Sequence, residues 1–286
     1  MGKNMKGIIL AGGNGSRLYP NTNVVSKQLL PVYSSPLIYY SLTQLMRMDI
    51  RDIIVITNTE YVNIFKQFLG DGSQWGISIK ILPQTKPGGL PEAFLIARSE
   101  IKNEKNVLIL GDNIFHGYSQ FHLDVQHYSC LIYGYEVSDP ERYGVIELDG
   151  HKVLSVEEKP KKPKSDYAAV GLYIFDETVV ERAASLKPSI RGELEITDIM
   201  RSYMAEDKLC VKIMGRGTVW LDAGTISSLA DASNFVEAIE KRSGVKIACP
   251  EETALNMGFI DSKQVQCMIN GMPNCEYKYY LEKIIP

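Results

Sequence analysis

Short apolar runs alternate with stretches of helical spacing through the first half of the chain. Residues 7–11, 52–57, 77–82, 107–110 and 131–136 read as strands, and residues 37–48 and 61–69 carry apolar side chains at helical intervals. This alternation predicts a mostly parallel sheet with helices on both faces. Right-handed crossovers then align the strand C-termini along one rim, where ligands of open α/β sheets collect. The middle differs: 144–149, 152–157 and 168–175 are short strands with turn signals such as Asp149-Gly150, and they predict an added antiparallel layer. A helix led by residues 191–198 follows, then a strand over 218–221 that ends at Asp222. From Ile226 onward the pattern is mainly helical, with Pro250 and Pro273 as breakers, and no internal repeat or low-complexity segment appears.

The rim carries the candidate chemistry. Leu10-Ala11 breaks into Gly12-Gly13-Asn14-Gly15-Ser16-Arg17-Leu18, where the glycines allow positive φ and close approach to a ligand. Backbone N–H groups in such a turn form an anion nest, to which Arg17 adds a fixed charge. A dinucleotide fingerprint would need glycine at Leu18, and a P-loop would need Gly-Lys-Ser/Thr at Ser16-Arg17-Leu18. Taken alone, the loop reads equally well as an ordinary turn. Lys27, shortly after it, is a mobile charge that could reach phosphates in such a cradle, although taken alone it reads better as a surface lysine. Asp112 and Asp222 each follow a short apolar strand on a glycine-containing turn. As a pair they suit Mg²⁺, which takes one or two carboxylates plus phosphate oxygens, although each singly is equally a turn cap. Gln84, with a donor and an acceptor, suits the paired edge of a pyrimidine, and Gly89 would let a base lie against backbone, although on its own this segment reads better as a plain glycine turn between strand and helix. Glu158 could accept from sugar hydroxyls, and Lys159 could hold a sugar phosphate.

Composition narrows the field. The chain has 286 residues, 45% hydrophobic and 23% charged, with 31 basic against 34 acidic residues and a formal charge of −3. That is the size of one large domain or a domain with an appendage, and it is no nucleic-acid footprint. No apolar run reaches membrane-spanning length. Residues 1–6 lead directly into the first strand, leaving no room for a signal peptide, so a cytoplasmic protein is expected. Gly2 invites a myristoylation reading that Lys6 weakens. Cys130, Cys210, Cys249, Cys267 and Cys275 form no Cys-x-x-Cys pair and are expected as reduced thiols. His116, His122, His127 and His151 show no ligand spacing and receive no catalytic role.

Several motifs together exceed what any one carries. Leu-Ala-Gly-Gly-Asn-Gly-Ser-Arg-Leu, Ser-Lys-Gln-Leu-Leu-Pro from Ser26, Gly-Asp-Gly-Ser-Gln-Trp-Gly from Gly70 and Leu-Gly-Asp-Asn from Leu110 are joined by four more. These are Asp-Pro-Glu-Arg-Tyr-Gly-Val from Asp139, Glu-Glu-Lys-Pro from Glu157, Arg-Gly-Glu-Leu-Glu-Ile-Thr-Asp from Arg191 and Trp-Leu-Asp-Ala-Gly-Thr from Trp220. In order and spacing the set resembles the bacterial-type glucose-1-phosphate thymidylyltransferases, from Lys6 to about Ile260. The resemblance implies a Rossmann-like nucleotidyltransferase fold: a mixed central sheet flanked by helices, an antiparallel sugar-binding layer and a helical C-terminal region. It implies a nucleotidyltransferase domain over 6–240, with nucleotide-binding residues 6–115 and sugar-binding residues 130–225, and a helical extension over 241–286.

The implied reaction joins dTTP and α-D-glucose 1-phosphate into dTDP-glucose and pyrophosphate, with Mg²⁺. By motif, Arg17 and Lys27 neutralise the triphosphate and Asp112 and Asp222 hold the metal. Leu10, Gly12, Gly13, Gly15, Ser16, Gln84, Pro87, Gly89 and Asp112 belong to the nucleotide. Tyr143, Gly144, Glu158, Lys159, Val170, Gly171 and Arg191 receive the sugar phosphate. The family is typically homotetrameric. Departures are Gly88 and Pro91, where relatives commonly read Pro-Asp-Gly-Leu-Ala from Pro87, Ala223 and Ile226 beside the metal loop, and Asn256 where relatives often carry a feedback-site Arg. Two rivals stand beside this expectation. One is a uridylyl- or cytidylyltransferase, separated by the pocket at Gln84 and Gly89. The other is a silent nucleotide-sugar sensor, which should have lost Arg17, Lys27 or an aspartate.

Overall fold

A computed structural model describes residues 5–117, 121, 127–150 and 152–285. Gly2, His122 and His151 lie outside the described residues. In chain order the strands are β1 (Met5–Ala11), β2 (Pro31–Val32), β3 (Ser35–Pro36), β4 (Asp52–Asn58), β5 (Ser78–Gln84), β6 (Lys105–Leu110), β7 (Asn113–His116), β8 (Cys130–Glu136), β9 (Gly144–Asp149), β10 (Lys152–Glu158), β11 (Tyr167–Phe175), β12 (Leu209–Ile213) and β13 (Val219–Asp222). A nine-stranded sheet runs β10-β9-β11-β6-β1-β4-β5, with β8 on β11 and β12 on β8. Strands β5, β4, β1 and β6 are mutually parallel.

Strands β1, β4 and β6 read as continuous apolar runs because both faces are covered, whereas β5, at the sheet edge, alternates buried and exposed residues. On β1, Ile8 and Ile9 are both fully buried, in opposite cores. One core receives α1 (Leu37–Arg47) and α2 (Val62–Leu69) through Leu42, Leu45, Phe65 and Leu69. The other receives α3 (Glu92–Ile96) and the helices Val179–Ser185 and Ile196–Met204 through Phe94, Ala183 and Met200. Each Leu, Phe and Met among them contributes roughly 1.5–3 kcal/mol by leaving water.

The middle strands depart from expectation. They are no separate layer: β11 lies antiparallel on β6 and continues the main sheet, with the β9–β10 hairpin beyond it. Residues Ala168 to Phe175 are all buried, so β11 is an interior strand and not one face of an added sheet. The helix expected from Arg191 begins only at Ile196, because Gly192 turns the chain at φ 76 and leaves 191–195 as a loop. An unanticipated pairing joins β7 to β13 in a two-stranded antiparallel ribbon. From Ile226 the chain is mainly helical, starting with Ile226–Ser243 on a Thr225–Ser228 capping box. The five cysteines are free. Among the described residues no helix is long and apolar enough to cross a membrane.

Candidate active site

The C-terminal ends of β1, β4, β5 and β6 share one rim, and the glycine loop leaves β1 there. Gly13 (φ 94) and Gly15 (φ 57) take left-handed backbone that a Cβ would strain. Asn58, the last residue of β4, accepts from Gly13 N at 3.1 Å and donates Nδ2 to Gly13 O at 3.2 Å. Both hydrogen bonds pin the loop to the sheet. A Cβ on Gly12 would lie 1.9 Å from Gln84 Oε1, so any side chain there would displace the Gln84 amide at the end of β5. From here a cleft of about 290 Å³ extends toward the antiparallel half of the sheet.

Ribbon β7–β13 brings the two aspartates together from distant parts of the sequence. Asp222 pairs in register with Asn113, and Ala223 N donates to Asp112 O at 2.9 Å. Asn113 Oδ1 accepts from Trp220 Nε1 at 2.6 Å and from Gly171 N at 3.1 Å, which fastens the ribbon to β11. Asp112 forms an ion pair with Lys27. Burial works to raise its carboxyl, but the Lys27 ammonium and its hydrogen bond outweigh that and hold it below the ordinary value. Asp222 accepts from Tyr143 OH at 3.1 Å and from Arg142 Nη2 at 3.3 Å. There burial wins over Arg142 and Tyr143, with Asp112 adding to it, and the carboxyl is raised. Two rigidly held hard-oxygen donors fit Mg²⁺, whose remaining ligands are typically water and substrate phosphate. Among the described residues no group of three or more His, Cys, Asp or Glu forms an all-protein cage.

The opposite wall is built from side chains. Arg191 Nη1 lies 3.4 Å from Glu158 Oε1 and 3.5 Å from Glu195 Oε1, while its Nη2 lies 3.1 Å from Glu193 Oε2. Lys159 Nζ stands 3.8 Å from Glu158 Oε1, on a residue held at φ 43. Burial, against Lys159, raises the Glu158 carboxyl. Gly144 leaves room beside Thr197 and Glu158, where a Cβ would come within 3.1 Å of Thr197 Cγ2.

Of the residues singled out from sequence, Leu10, Gly12, Arg17, Lys27, Gly89, Asp112, Tyr143, Gly144, Glu158, Lys159, Gly171, Arg191 and Asp222 line this one cleft. Gly13, Gly15 and Ser16 form the outer turn of the loop, Pro87 is exposed, and Gln84 lies behind Gly12. Val170 is different: its side chain is fully buried in the apolar core, because alternation along β11 turns Ala169 and Gly171 to the cleft. Sequence reasoning missed Arg142, Asn113 and Trp220 as cleft residues. All three stand inside quoted motifs, yet nothing in one sequence separates them from neighbouring packing residues.

Strand order reverses at β1, between β4 and β6, and the phosphate-type loop leaves at that switch point. That arrangement, continued by an antiparallel half, is the Rossmann-like nucleotidyltransferase architecture. The chain belongs to the nucleotidyl transferase family, whose defining pattern matches residues 6–239. Within it, the chain groups with the glucose-1-phosphate thymidylyltransferases along nearly its whole length. It is 48% identical over 281 residues to that of Xanthomonas campestris pv. campestris strain B100, covering 96% of this chain and 95% of the relative. It is 47% identical over 285 residues to that of Mycolicibacterium smegmatis, covering 98% and 99%. A crystal structure from Bacillus anthracis, described as a glucose-1-phosphate thymidylyltransferase in complex with a sucrose, superposes at TM-score 0.75 with 42% identity, covering 81% of this chain and 94% of that one. A UDP-glucose pyrophosphorylase complexed with UDP-glucose, at TM-score 0.71 and 24% identity, shares the fold.

Proposed function

We propose that this protein transfers a thymidylyl group from dTTP to α-D-glucose 1-phosphate, giving dTDP-glucose and pyrophosphate. The observation that carries the reading is one cleft with Arg17, Lys27, Asp112 and Asp222 on one side and Glu158, Lys159 and Arg191 on the other. The backbone of Gly12, Gly13 and Gly15, with Ser16, cradles the triphosphate, and Arg17 and Lys27 balance its charge. Leu10, Gln84, Pro87 and Gly89 surround the base. Lys159 and Arg191 take the sugar phosphate, Glu158 accepts from sugar hydroxyls, and Tyr143, Gly144, Val170 and Gly171 shape that half, Val170 by backbone alone.

The step is an in-line displacement. A phosphate oxygen of glucose 1-phosphate forms a bond to the α-phosphorus as the bond to pyrophosphate breaks, and phosphorus inverts. The attacking oxygen is already ionised, so no general base is required. Positioning and charge neutralisation by Arg17 and Lys27 supply the acceleration. Asp112 and Asp222 would hold Mg²⁺, which when bound supplies further positive charge against the phosphates. A homotetramer acting in the cytoplasm completes the proposal, on family resemblance.

The test is pyrophosphate release with glucose 1-phosphate and Mg²⁺, comparing dTTP, UTP, CTP, ATP and GTP. Release led by dTTP and abolished by EDTA is expected. Release led by another nucleotide overturns the base assignment, and none with any nucleotide revives the silent sensor.

A further inference from the structure

Glu92, the first residue of α3, is absorbed by nothing in the reaction above, yet it contacts Gln84, one of the residues assigned to the base. Its Oε2 accepts from Gln84 Nε2 at 2.6 Å and from Gly88 N at 2.9 Å. Gln84 is only 5% exposed, so its amide cannot satisfy itself in water. An amide is nearly symmetric in shape and can turn over, exchanging its acceptor and its donors. Here turning over would set Oε1 against a carboxylate oxygen, two acceptors with no proton between them. The carboxylate therefore fixes the orientation: Nε2 toward Glu92, and Oε1 toward Gly12, where a Cβ would stand 1.9 Å from it. Among the described residues no hydrogen bond is made to that Oε1, so an uncommitted acceptor stands directly against Gly12, which lines the cleft.

We infer that Glu92 is a positioning residue for base selection: it locks the Gln84 amide so that the pocket demands a ring N–H, which thymine and uracil carry at N3 and cytosine does not. The inference rests on the nucleotide assignment proposed above. A pyrimidine held at one position meets a fixed acceptor, and cytosine N3, itself an acceptor, is left opposed to it. Unpaired buried polar groups are what give such a site its discrimination.

A second observation places the carboxylate. A Cβ on Gly88 would lie 2.8 Å from Glu92 Cδ and 2.9 Å from each carboxylate oxygen. The Glu92 head group thus fills the space a side chain at Gly88 would occupy, and Gly88 has no left-handed φ to exclude one. A carboxylate borne by residue 88 would thus reach the same place from the loop instead of from α3.

The experiment is steady-state kinetics with dTTP and dCTP on the wild-type protein, Glu92→Ala and the double variant Gly88→Asp/Glu92→Ala. Glu92→Ala removes the acceptor that fixes the Gln84 amide and vacates the space beside Gly88. The ratio of kcat/KM for dTTP over dCTP is expected to fall about tenfold in Glu92→Ala, through KM with kcat nearly unchanged, the order of one well-placed base contact. The double variant is expected to recover the wild-type ratio. An equal rise in KM for both nucleotides, leaving the ratio unchanged, makes Glu92 a loop brace and overturns the inference, as does a double variant that recovers nothing. A wild-type protein that does not use dTTP at all instead overturns the proposed function.

Discussion

On the β1 side of the cleft, the proposed binding groups are backbone atoms held by the sheet: Gly13 is tied twice to Asn58, and Gly12 abuts Gln84. On the β10 side they are charged side chains holding one another, with Arg191 among Glu158, Glu193 and Glu195 and about 40% of its side chain exposed. Partly exposed ion pairs of that kind contribute roughly 0–1 kcal/mol each. The contrast separates two kinds of vulnerability. Changes in the first half disturb the polypeptide as well as the ligand. Changes in the second remove a ligand contact and leave the fold standing.

The largest effect is expected where the halves meet. Asp222→Asn keeps the hydrogen-bonding shape but removes a carboxylate from the proposed metal pair, so kcat should drop on the order of 10²–10³-fold while the melting temperature barely moves. Normal turnover in that variant would remove Asp222 from the site. Gly89→Ala comes next. Gly89 sits at φ 97, and its Cβ would stand 2.0 Å from Leu194 O, backbone against backbone. A loss of about 1–3 kcal/mol in chemical denaturation is expected, with KM rising for both substrates. An unaffected sugar-phosphate KM would confine Gly89 to the nucleotide half.

Lys159→Ala should act on one substrate alone. The expected rise in KM for glucose 1-phosphate is about tenfold or more, the value of a charged hydrogen bond, with dTTP unaffected. Equal weakening of both substrates would refute the division of the cleft. The smallest effect is electrostatic. Burial, with Glu195, raises the Glu158 carboxyl against Lys159 and Arg191. Its folded value thus exceeds its unfolded one, so the associated stability is complete below the unfolded value and is lost as pH rises through the folded one. Glu158→Gln, always neutral, should melt higher than wild type above neutral pH, by at most about 2–4 °C. That gap should close as the pH falls below about 4. A gap that widens on acidification would reverse the sign of the argument.

What could be read from sequence follows the same boundary. Parallel strands covered on both faces announce themselves as apolar runs, and the glycine loop is local in the chain, so both were legible. Ribbon β7–β13 was not. Asn113–His116 is too short to show a period, and its partner lies more than 100 residues away, as the Asn113–Trp220 contact (sequence separation 107) makes plain. The late start of the Ile196 helix turns on Gly192, whose turn competes with a sequence that otherwise reads as helix. Val170 was assigned to the sugar by motif, although alternation against Ala169 and Gly171 already pointed its side chain the other way. Glu92 gave no signal, since its role is a contact with Gln84 that only the folded loop creates.

The Gly89–Leu194 bridge joins the two halves of the cleft. Leu194 N donates to Gly88 O at 2.8 Å, so the loop beside the base and the loop that carries Arg191 are one continuous piece of hydrogen-bonded chain. Whatever dTTP does to order this seam, glucose 1-phosphate finds already done, and linkage makes the debt mutual. The factor by which the nucleotide tightens sugar-phosphate binding must equal the factor by which the sugar phosphate tightens the nucleotide.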